Sequence, residues 1–204
     1  AFDNISDVLG APRSDIVDFY PLKQGITNLS CHFTVGGEEF VYRHPGVGTE
    51  SMIDRQAEAA GLTLARDLGL DQTFLHADPA SGWKISRFVP GSRTLDVSNP
   101  DELRRAFEMS RRLHDSGAVM DRDFDYITEG LRYESLLKRF GPIEVPGYDE
   151  LKAKVLHLKE LADQDGFPKV PSHNDFSDIN FLLDEGGNVS LIDWEYAGMS
   201  DQAN

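Results

Sequence analysis

Several features that often define a protein class are scarce or absent in this sequence of 204 residues. It contains one cysteine, Cys31, so no disulfide framework can form within the chain, and a cytoplasmic location is expected. Basic residues are few, with 20 Lys and Arg against 35 Asp and Glu, which gives a net charge of −15. Such a charge repels nucleic-acid backbones and anionic membrane surfaces, so we expect no nucleic-acid partner.

Long apolar runs and internal repeats are also missing from the sequence. No stretch approaches the ~20 apolar residues of a membrane-spanning helix, so membrane insertion is not expected. The hydrophobic fraction is nevertheless 40%, which is enough to form the core of one or two domains.

The first ninety residues favour strands. Two β-prone runs, 26–35 and 40–43, flank Gly36-Gly37, which predicts a hairpin with a tight turn. The runs 74–77 and 83–89 predict two further strands. Apolar residues at helical spacing predict a helix from Thr49, as its N-cap, to Leu68. Pro90-Gly91 then breaks the pattern and is the predicted boundary between two lobes, residues 1–90 and 91–204.

The second part is predicted to be mostly helical. A cap residue followed by proline predicts a helix start within 98–102, and further helices are predicted over 126–140 and 148–165. Near the C-terminal end the pattern changes, because short apolar runs at 181–183 and 189–192 flank a polar turn. This pattern predicts a second hairpin, and the whole chain is predicted to have an α+β fold.

This second hairpin carries the most informative motif of the chain. Asp175 lies two residues after His173, Asn180 follows five residues later, and Asp193 ends the next apolar run thirteen residues after that. A hairpin brings these three polar side chains to one edge of a small sheet. An aspartate and an asparagine at this spacing, with a second aspartate after a strand, are typical of kinase-type phosphoryl transfer.

The chemistry of phosphoryl transfer suits these residue types. It requires positioning and charge neutralisation more than covalent work from the protein. Asp175 would accept a hydrogen bond from the substrate hydroxyl and direct it at the terminal phosphate of ATP. Asn180 and Asp193 offer the hard oxygen ligands that Mg²⁺ prefers. In the structural alternative, Asp175 caps a loop and Asp193 simply ends a strand; the added run Ile192-Asp-Trp-Glu-Tyr196 favours the functional interpretation.

Together these motifs resemble the choline/ethanolamine kinase branch of the aminoglycoside phosphotransferase-like kinases, and the bacterial members most of all. The resemblance covers most of residues 20–204 in consistent order. Its matching segments are 22–28, 41–46, 55–58, 85–91 and 173–199. It implies a protein-kinase-like bilobal fold, with an antiparallel-sheet N-lobe carrying one main helix and a mostly helical C-lobe carrying the catalytic β-hairpin.

The resemblance also implies roles for residues that spacing alone does not single out. The cofactor-binding residues would be Gly25, Thr27 and Asn28 in the phosphate loop, Arg43 on the third strand, Glu58 on the following helix and Phe88 at the hinge. Arg43 would replace the usual ATP-binding lysine, with Glu58 as its partner. Tyr196 would line a pocket for a quaternary ammonium through cation–π attraction, and Glu195 would add negative charge.

For several of these residues an ordinary structural role is the alternative. Arg43 would then be a surface strand residue, Glu58 part of a solvated helix face and Tyr196 a packed aromatic. His173 is expected to support the loop without transferring protons, and His114 to be structural.

The expected function is ATP- and Mg²⁺-dependent phosphorylation of the hydroxyl of choline or ethanolamine, giving phosphocholine and ADP in the case of choline. Other acceptors of the same fold, such as an aminoglycoside, homoserine or thiamine, are alternatives. An inactive nucleotide-binding fragment or pseudokinase is a third. Members of the family continue past the point where this sequence stops, so the C-terminal lobe is expected to be incomplete relative to the family.

Overall fold

A computed structural model describes residues 1–22 and 28–202 of the chain. Its helices are α1 (Phe2–Leu9), α2 (Arg55–Asp67), α3 (Pro100–His114), α4 (Tyr126–Leu137) and α5 (Tyr148–Asp165). Its strands are β1 (Val17–Pro21), β2 (Asn28–Val35), β3 (Glu38–Pro45), β4 (Phe74–Ala77), β5 (Lys84–Arg87), β6 (Val170–Ser172), β7 (Phe181–Leu183), β8 (Val189–Leu191) and β9 (Gly198–Ser200). The α+β prediction is confirmed. Gly25 and Thr27 lie outside the described residues.

The N-terminal part is built on a five-stranded antiparallel sheet in the order β1-β2-β3-β5-β4. The predicted hairpin is formed by β2 and β3, and its turn places Gly36 and Gly37 at φ values of 61° and 84°. Both are left-handed conformations that glycine adopts without steric cost, and they match the twist of the flanking strands. The turn fixes the register in which Arg43 lies opposite Ser30 on β2 and Lys84 on β5.

Helix α2 begins later than the sequence predicted. The chain forms a short 3-10 turn at Thr49–Ser51, and α2 itself starts at Arg55. The N-cap is Asp54, whose carboxylate accepts hydrogen bonds from the backbone N–H groups of Gln56 and Ala57. Thr49 instead donates its hydroxyl to the carbonyl of Gly46. The prediction of Thr49 as the cap was wrong because an aspartate stands closer to the apolar stripe and satisfies two N–H groups at once.

The sequence reasoning also missed four short elements. Helix α1 packs on the N-terminal sheet through Ile5, which is fully buried, and β1 forms an edge strand of that sheet. Strands β6 and β9 have three residues each and pair antiparallel, far apart in sequence. Such short pairs carry no alternation of their own. The predicted helix over 126–140 ends at Leu137, whereas the helix over 148–165 and the hairpin of β7 and β8 were predicted correctly.

The larger hydrophobic cluster joins α2 to the C-terminal part. Its buried members come from α2, the 70–74 segment, α3 and the β7–β8 hairpin region, and include Leu62, Ala65, Leu113, Leu191 and Trp194. Gly61 on α2 permits this close approach, because a Cβ atom there would lie 2.7 Å from that of Ala197. The helix is therefore anchored against the segment that carries Asp193. The lobe boundary at residues 90–91 stays a prediction.

Helices α4 and α5 lie at the periphery, with no fully buried apolar residue between them. Across the described ranges, none of the helices combines the length and the apolar character needed to cross a membrane.

Candidate active site

His173 links the two segments that carry the predicted site residues. Its Nε2 atom lies 2.9 Å from the carbonyl oxygen of Ile192, and its Nδ1 atom accepts the backbone N–H of Asp175 at 3.2 Å. The ring therefore carries its proton on Nε2. Burial lowers the pKa of His173, which keeps the imidazole neutral. As expected, His173 supports the loop, and it does so by holding Asp175 next to the strand end before Asp193.

Asn180 adds a second link within the same loop. Its side-chain amide donates to the carboxylate of Asp175 at 2.8 Å and to the Asp175 backbone carbonyl at 2.9 Å. The Asn180 carbonyl accepts the N–H of Ile192 at 2.8 Å. The structure thus brings Asp175 and Asn180 into direct contact and places Asp193 one residue beyond the second link. The prediction that a hairpin would gather these residues is consistent with this geometry.

Two residues of this region adopt a left-handed backbone conformation. Asn174 has a φ of 65° and Asp193 a φ of 68°. Such values are uncommon for residues other than glycine, though Asn and Asp tolerate them best, and they cluster at functional sites. At Asp193 the chain is fixed on both sides, because the indole N–H of Trp194 donates to the carbonyl of Leu191 at 2.8 Å. Trp194 is fully buried and packs edge-on against the His173 ring.

A cluster of charged side chains forms the other half of the site. The Arg43 guanidinium donates to Asp193 at 2.5 Å, to Glu195 at 2.9 Å and to Glu58 at 3.2 Å. Only 12% of the Arg43 side chain is exposed. The predicted pair of Arg43 and Glu58 is therefore present, and neither residue is the solvated surface group of the structural alternative.

The pKa values in this cluster follow from competition between burial and charge. Burial alone would raise the pKa of Asp193, but the Arg43 and Lys84 charges outweigh it and the pKa is lowered. The pKa of Glu58 is lowered in the same way, against its burial, by Lys84 and Arg43. For Glu195 burial dominates, and the neighbouring Asp193 charge adds to it, so its pKa is raised. Asp193 and Glu58 are thus held in their charged form.

Two cations of this cluster were not found by the sequence reasoning. Arg55 donates to the second carboxylate oxygen of Glu58 at 2.8 Å, and Lys84 lies 3.3 Å from the first. Lys84 also lies 3.9 Å from Asp193. A lysine between Trp83 and Ile85 in a predicted strand was the available signal for Lys84, because charged residues are rarely placed inside buried strands without a partner.

A cleft of about 230 Å³ opens between the sheet and the hairpin. Its lining combines the charged side chains of Arg43, Lys84 and Asp193 with the apolar side chains of Val41, Leu182 and Ile192. Phe88, predicted at the hinge, lines the same cleft beside Val89. A cleft lined by both apolar and charged side chains suits a flat base joined to phosphates. Asn28, by contrast, is the first residue of β2 and is not among the residues that line the cleft.

Besides Asp175, the residues predicted to contact the substrate are Glu195 and Tyr196, and these two lie in different surroundings. Glu195 is buried and pairs with Arg43, so its carboxylate belongs to the charged cluster. Tyr196 lies on the Asp175 side and packs edge-on against Phe124, with ring centroids 6.0 Å apart. Burial raises the pKa of the Tyr196 hydroxyl.

Tyr126 joins this aromatic group. Its hydroxyl donates to the carbonyl of Asn174 at 2.8 Å, and its ring lies edge-on to Phe124. Burial and then the Asp175 charge raise the pKa of Tyr126, which places its hydroxyl within the field of that carboxylate.

The predicted metal ligands are Asn180 and Asp193. The side-chain nitrogen of Asn180 is committed to Asp175, which leaves its Oδ1 atom to coordinate a cation. Asp193 keeps one carboxylate oxygen apart from Arg43, and 32% of its side chain is exposed at the cleft. Both are oxygen donors of the kind that Mg²⁺ prefers. The carboxylates of Glu58, Asp193 and Glu195 also lie within 4.8 Å of one another, but Arg43 already occupies the space among them.

The sheet with one anchored helix, followed by a helical part with a polar hairpin, defines the class of protein-kinase-like phosphotransferases. The sequence pattern of the phosphotransferase enzyme family (APH) matches residues 18–204. The chain belongs to this family.

Two curated relatives and two solved structures show where in the family the chain lies. It is 31% identical to the LicA protein of Haemophilus influenzae and 36% identical to ethanolamine kinase 1 of Mus musculus, over 87% and 85% of its length. It spans only about half of these relatives, 53% and 52%. The crystal structure of choline kinase LicA from Streptococcus pneumoniae matches with a TM-score of 0.82 and 26% identity, over 98% of this chain and 69% of that one. A LicA structure in complex with AMP matches with a TM-score of 0.83 and 27% identity, over the same shares of the two chains.

Proposed function

We propose that the chain carries the catalytic centre of a kinase that transfers the terminal phosphate of ATP to the hydroxyl of choline or ethanolamine. The observation that carries this proposal is the joint placement of two half-sites. One is the hydrogen-bonded loop of His173, Asp175 and Asn180, and the other is the charged cluster of Arg43, Glu58 and Asp193.

Each half-site would perform one part of the reaction. Asp175 accepts a hydrogen bond from the acceptor hydroxyl, orients its oxygen toward the terminal phosphorus and receives the proton as the new O–P bond forms and the bond to the ADP oxygen breaks. Arg43 binds phosphate oxygens, and Glu58 holds its guanidinium in place. The apolar lining of the cleft, which includes Phe88, would bind the base.

Mg²⁺ would be held by Asn180 and Asp193 and would neutralise the charge of the phosphates. The neutral amide and the ionised carboxylate suit this ion, since the low pKa of Asp193 keeps it charged. Gly25, Thr27 and Asn28 remain proposed members of the phosphate loop through the resemblance to the family.

The choice of an amino alcohol as acceptor is supported by the aromatic group beside Asp175. Tyr196 and Tyr126 offer ring faces of the kind that attract a quaternary or primary ammonium, and the Asp175 carboxylate adds negative charge nearby. The relatives named as choline kinase and ethanolamine kinase support the same choice. Glu195 faces Arg43, so any contribution it makes to the ammonium is through longer-range charge.

The test is turnover by the wild type and by Asp175→Asn with a panel of acceptors: choline, ethanolamine, homoserine, thiamine and an aminoglycoside. We expect ADP release with choline or ethanolamine and a loss of about 10³-fold in kcat for the variant. Calorimetry should show unchanged affinity for ATP, because Asp175 directs the acceptor and not the nucleotide.

Asp178→Asn is the matched control, since it removes a carboxylate from the adjacent turn and is expected to retain turnover. Stimulation of ADP release by an acceptor other than the two amino alcohols would reject the substrate assignment. Normal turnover in Asp175→Asn would reject the catalytic assignment, and nucleotide binding with no turnover on any acceptor would identify a non-catalytic nucleotide-binding protein.

A further inference from the structure

We propose that Lys84 is a second phosphate-binding cation of the cleft, acting beside Arg43 on the nucleotide. This inference rests on the proposed function in that it takes the ligand of the cleft to be a nucleoside polyphosphate. It adds a residue that neither the motif nor the spacing along the chain singled out.

The sheet register places Lys84 directly beside Arg43. The two residues are cross-strand partners on β5 and β3, and their side chains both line the cleft. The next pair along the same face, Val41 and Ser86, also lines it, so the alternation of both strands directs this row of side chains to the ligand side. Only 10% of the Lys84 side chain is exposed.

Two like charges that face each other across strands destabilise a sheet, and a buried ammonium needs compensation for its lost hydration. Part of this compensation comes from Glu58 and Asp193. Both carboxylates, however, make shorter bonds to arginines: Asp193 to Arg43 at 2.5 Å and Glu58 to Arg55 at 2.8 Å. Lys84 is the more distant cation for each of them, at 3.9 Å and 3.3 Å.

These distances leave Lys84 with donor capacity at the cleft. Charge-assisted N–H···O bonds are typically about 2.7–2.9 Å long, and an ammonium carries three N–H donors. The contacts of Lys84 are longer than this on both sides, so its charge is not absorbed by one tight ion pair. A ligand with several anionic oxygens would accept hydrogen bonds from the remaining N–H donors of Lys84. A neutral ligand in the same cleft would not offer such acceptors.

A purely structural role makes a different prediction. If Lys84 only balanced the charge of Glu58, its loss would leave the ratio of ATP to adenosine affinity unchanged once Glu58 is also neutral, as in Glu58→Gln. If it binds phosphate, the loss of affinity should grow with the number of phosphates in that background as well. The dependence of affinity on the phosphate chain, measured with and without the Glu58 charge, therefore separates the two roles.

The experiment is calorimetric titration of wild type, Lys84→Met and Lys84→Arg with adenosine, AMP, ADP and ATP in excess EDTA. Working without a divalent cation isolates the contact between protein and phosphate. For Lys84→Met we expect affinity to fall about 10-fold for ATP, less for AMP and within about 2-fold for adenosine. Lys84→Arg should recover most of the ATP affinity because it restores the charge.

Lys138→Met serves as the control. Lys138 pairs with Glu134 on α4, so this substitution removes the same charge from a surface distant from the cleft. A second comparison sets Glu58→Gln against Glu58→Gln/Lys84→Met, in which the uncompensated carboxylate is absent. This pair also keeps the test available if Lys84→Met alone does not fold. The ratio of ATP to adenosine affinity should again fall about 10-fold on loss of Lys84.

An unchanged ratio of ATP to adenosine affinity, or an equal loss for both ligands, would overturn the proposal. The result is independent of phosphate transfer. A chain that binds ATP through Lys84 but phosphorylates neither choline nor ethanolamine would refute the proposed function and leave this inference standing.

Discussion

Different kinds of interaction hold each half of the candidate site in place. Hydrogen bonds fix the loop with Asp175 and Asn180. Neutral groups, among them the His173 ring and the Asn180 amide, make these bonds with backbone atoms and with the Asp175 carboxylate. The half with Arg43 is fixed by ion pairs that join β3, α2 and the segment after β8.

This difference matches the role proposed for each half. A loop that orients a hydroxyl must not move when charged ligands enter and leave, and neutral hydrogen bonds to the backbone depend little on nearby charge. In the proposed function, phosphates would replace existing partners of Arg43, and ion pairs can exchange one anion for another. The first half is therefore expected to control the rate of transfer and the second half the affinity for nucleotide.

The largest effect on catalytic rate is expected from His173→Ala. It removes both links of the ring, so Asp175 loses its fixed distance from the Asp193 segment, and misplacement by about 1 Å is expected to lower kcat about 10²-fold. Steady-state kinetics and calorimetry should show this loss with nucleotide affinity nearly intact. His114→Ala, on α3, is the control. Equal losses in affinity and in kcat would contradict a division of labour between the two halves.

A smaller and opposite effect is expected from Arg43→Lys. An ammonium keeps the charge but cannot bond three carboxylates and a phosphate with the planar fork of arginine. We expect about 10-fold weaker binding of ATP, with kcat at saturating ATP reduced much less. Arg104→Lys, on the exposed side of α3, controls for the exchange itself. Wild-type affinity in Arg43→Lys would show that the guanidinium fork has no special role.

The smallest effect is expected for an ion pair that lies outside the nucleotide cleft and contributes only to the stability of the fold. Glu102 accepts hydrogen bonds from Arg93 and from the backbone N–H of Asp96, and these lower its pKa from 4.5 to about 2. Because the folded-state pKa is depressed, the stabilisation is present above pH 4.5 and is lost as the pH falls toward 2.

Thermal unfolding of wild type and Glu102→Gln at several pH values checks this point. The wild type should have the higher Tm at pH 7, and the difference should shrink as the pH is lowered below 4.5. Nucleotide affinity should be unaffected at neutral pH. A difference in Tm that is constant with pH would mean that the charge of Glu102 does not stabilise the fold, and altered ATP binding would mean that ion pairs outside the cleft also contribute to it.

Sequence reasoning reached the neutral half of the site more completely than the charged half. The motif from His173 to Asn180 is local, and the hairpin that places Asp193 is short, so spacing alone was informative. Arg43 and Glu58 were named through the resemblance to known kinases. Lys84 and Arg55 were missed because their importance depends on the register of three strands and on the start of α2.

The start of α2 itself was placed at Thr49 because apolar spacing cannot choose between two capping residues. The position of Glu195 could not be foreseen either. Whether its carboxylate faces the acceptor or Arg43 depends on the backbone turn at Asp193, whose left-handed φ is not encoded in any local pattern.

The burial of α2 against the later segments has a consequence for dissecting the molecule. Severing the chain at Pro90-Gly91 would separate Leu62 and Leu70 from the partners that cover them, Leu113 and Trp194 among them. Each piece would then expose an apolar surface that is complementary to the other piece, so neither is suited to folding by itself. Co-expressed as separate polypeptides, the two pieces are natural candidates for a complementation reporter, in which restored nucleotide binding signals that they have met.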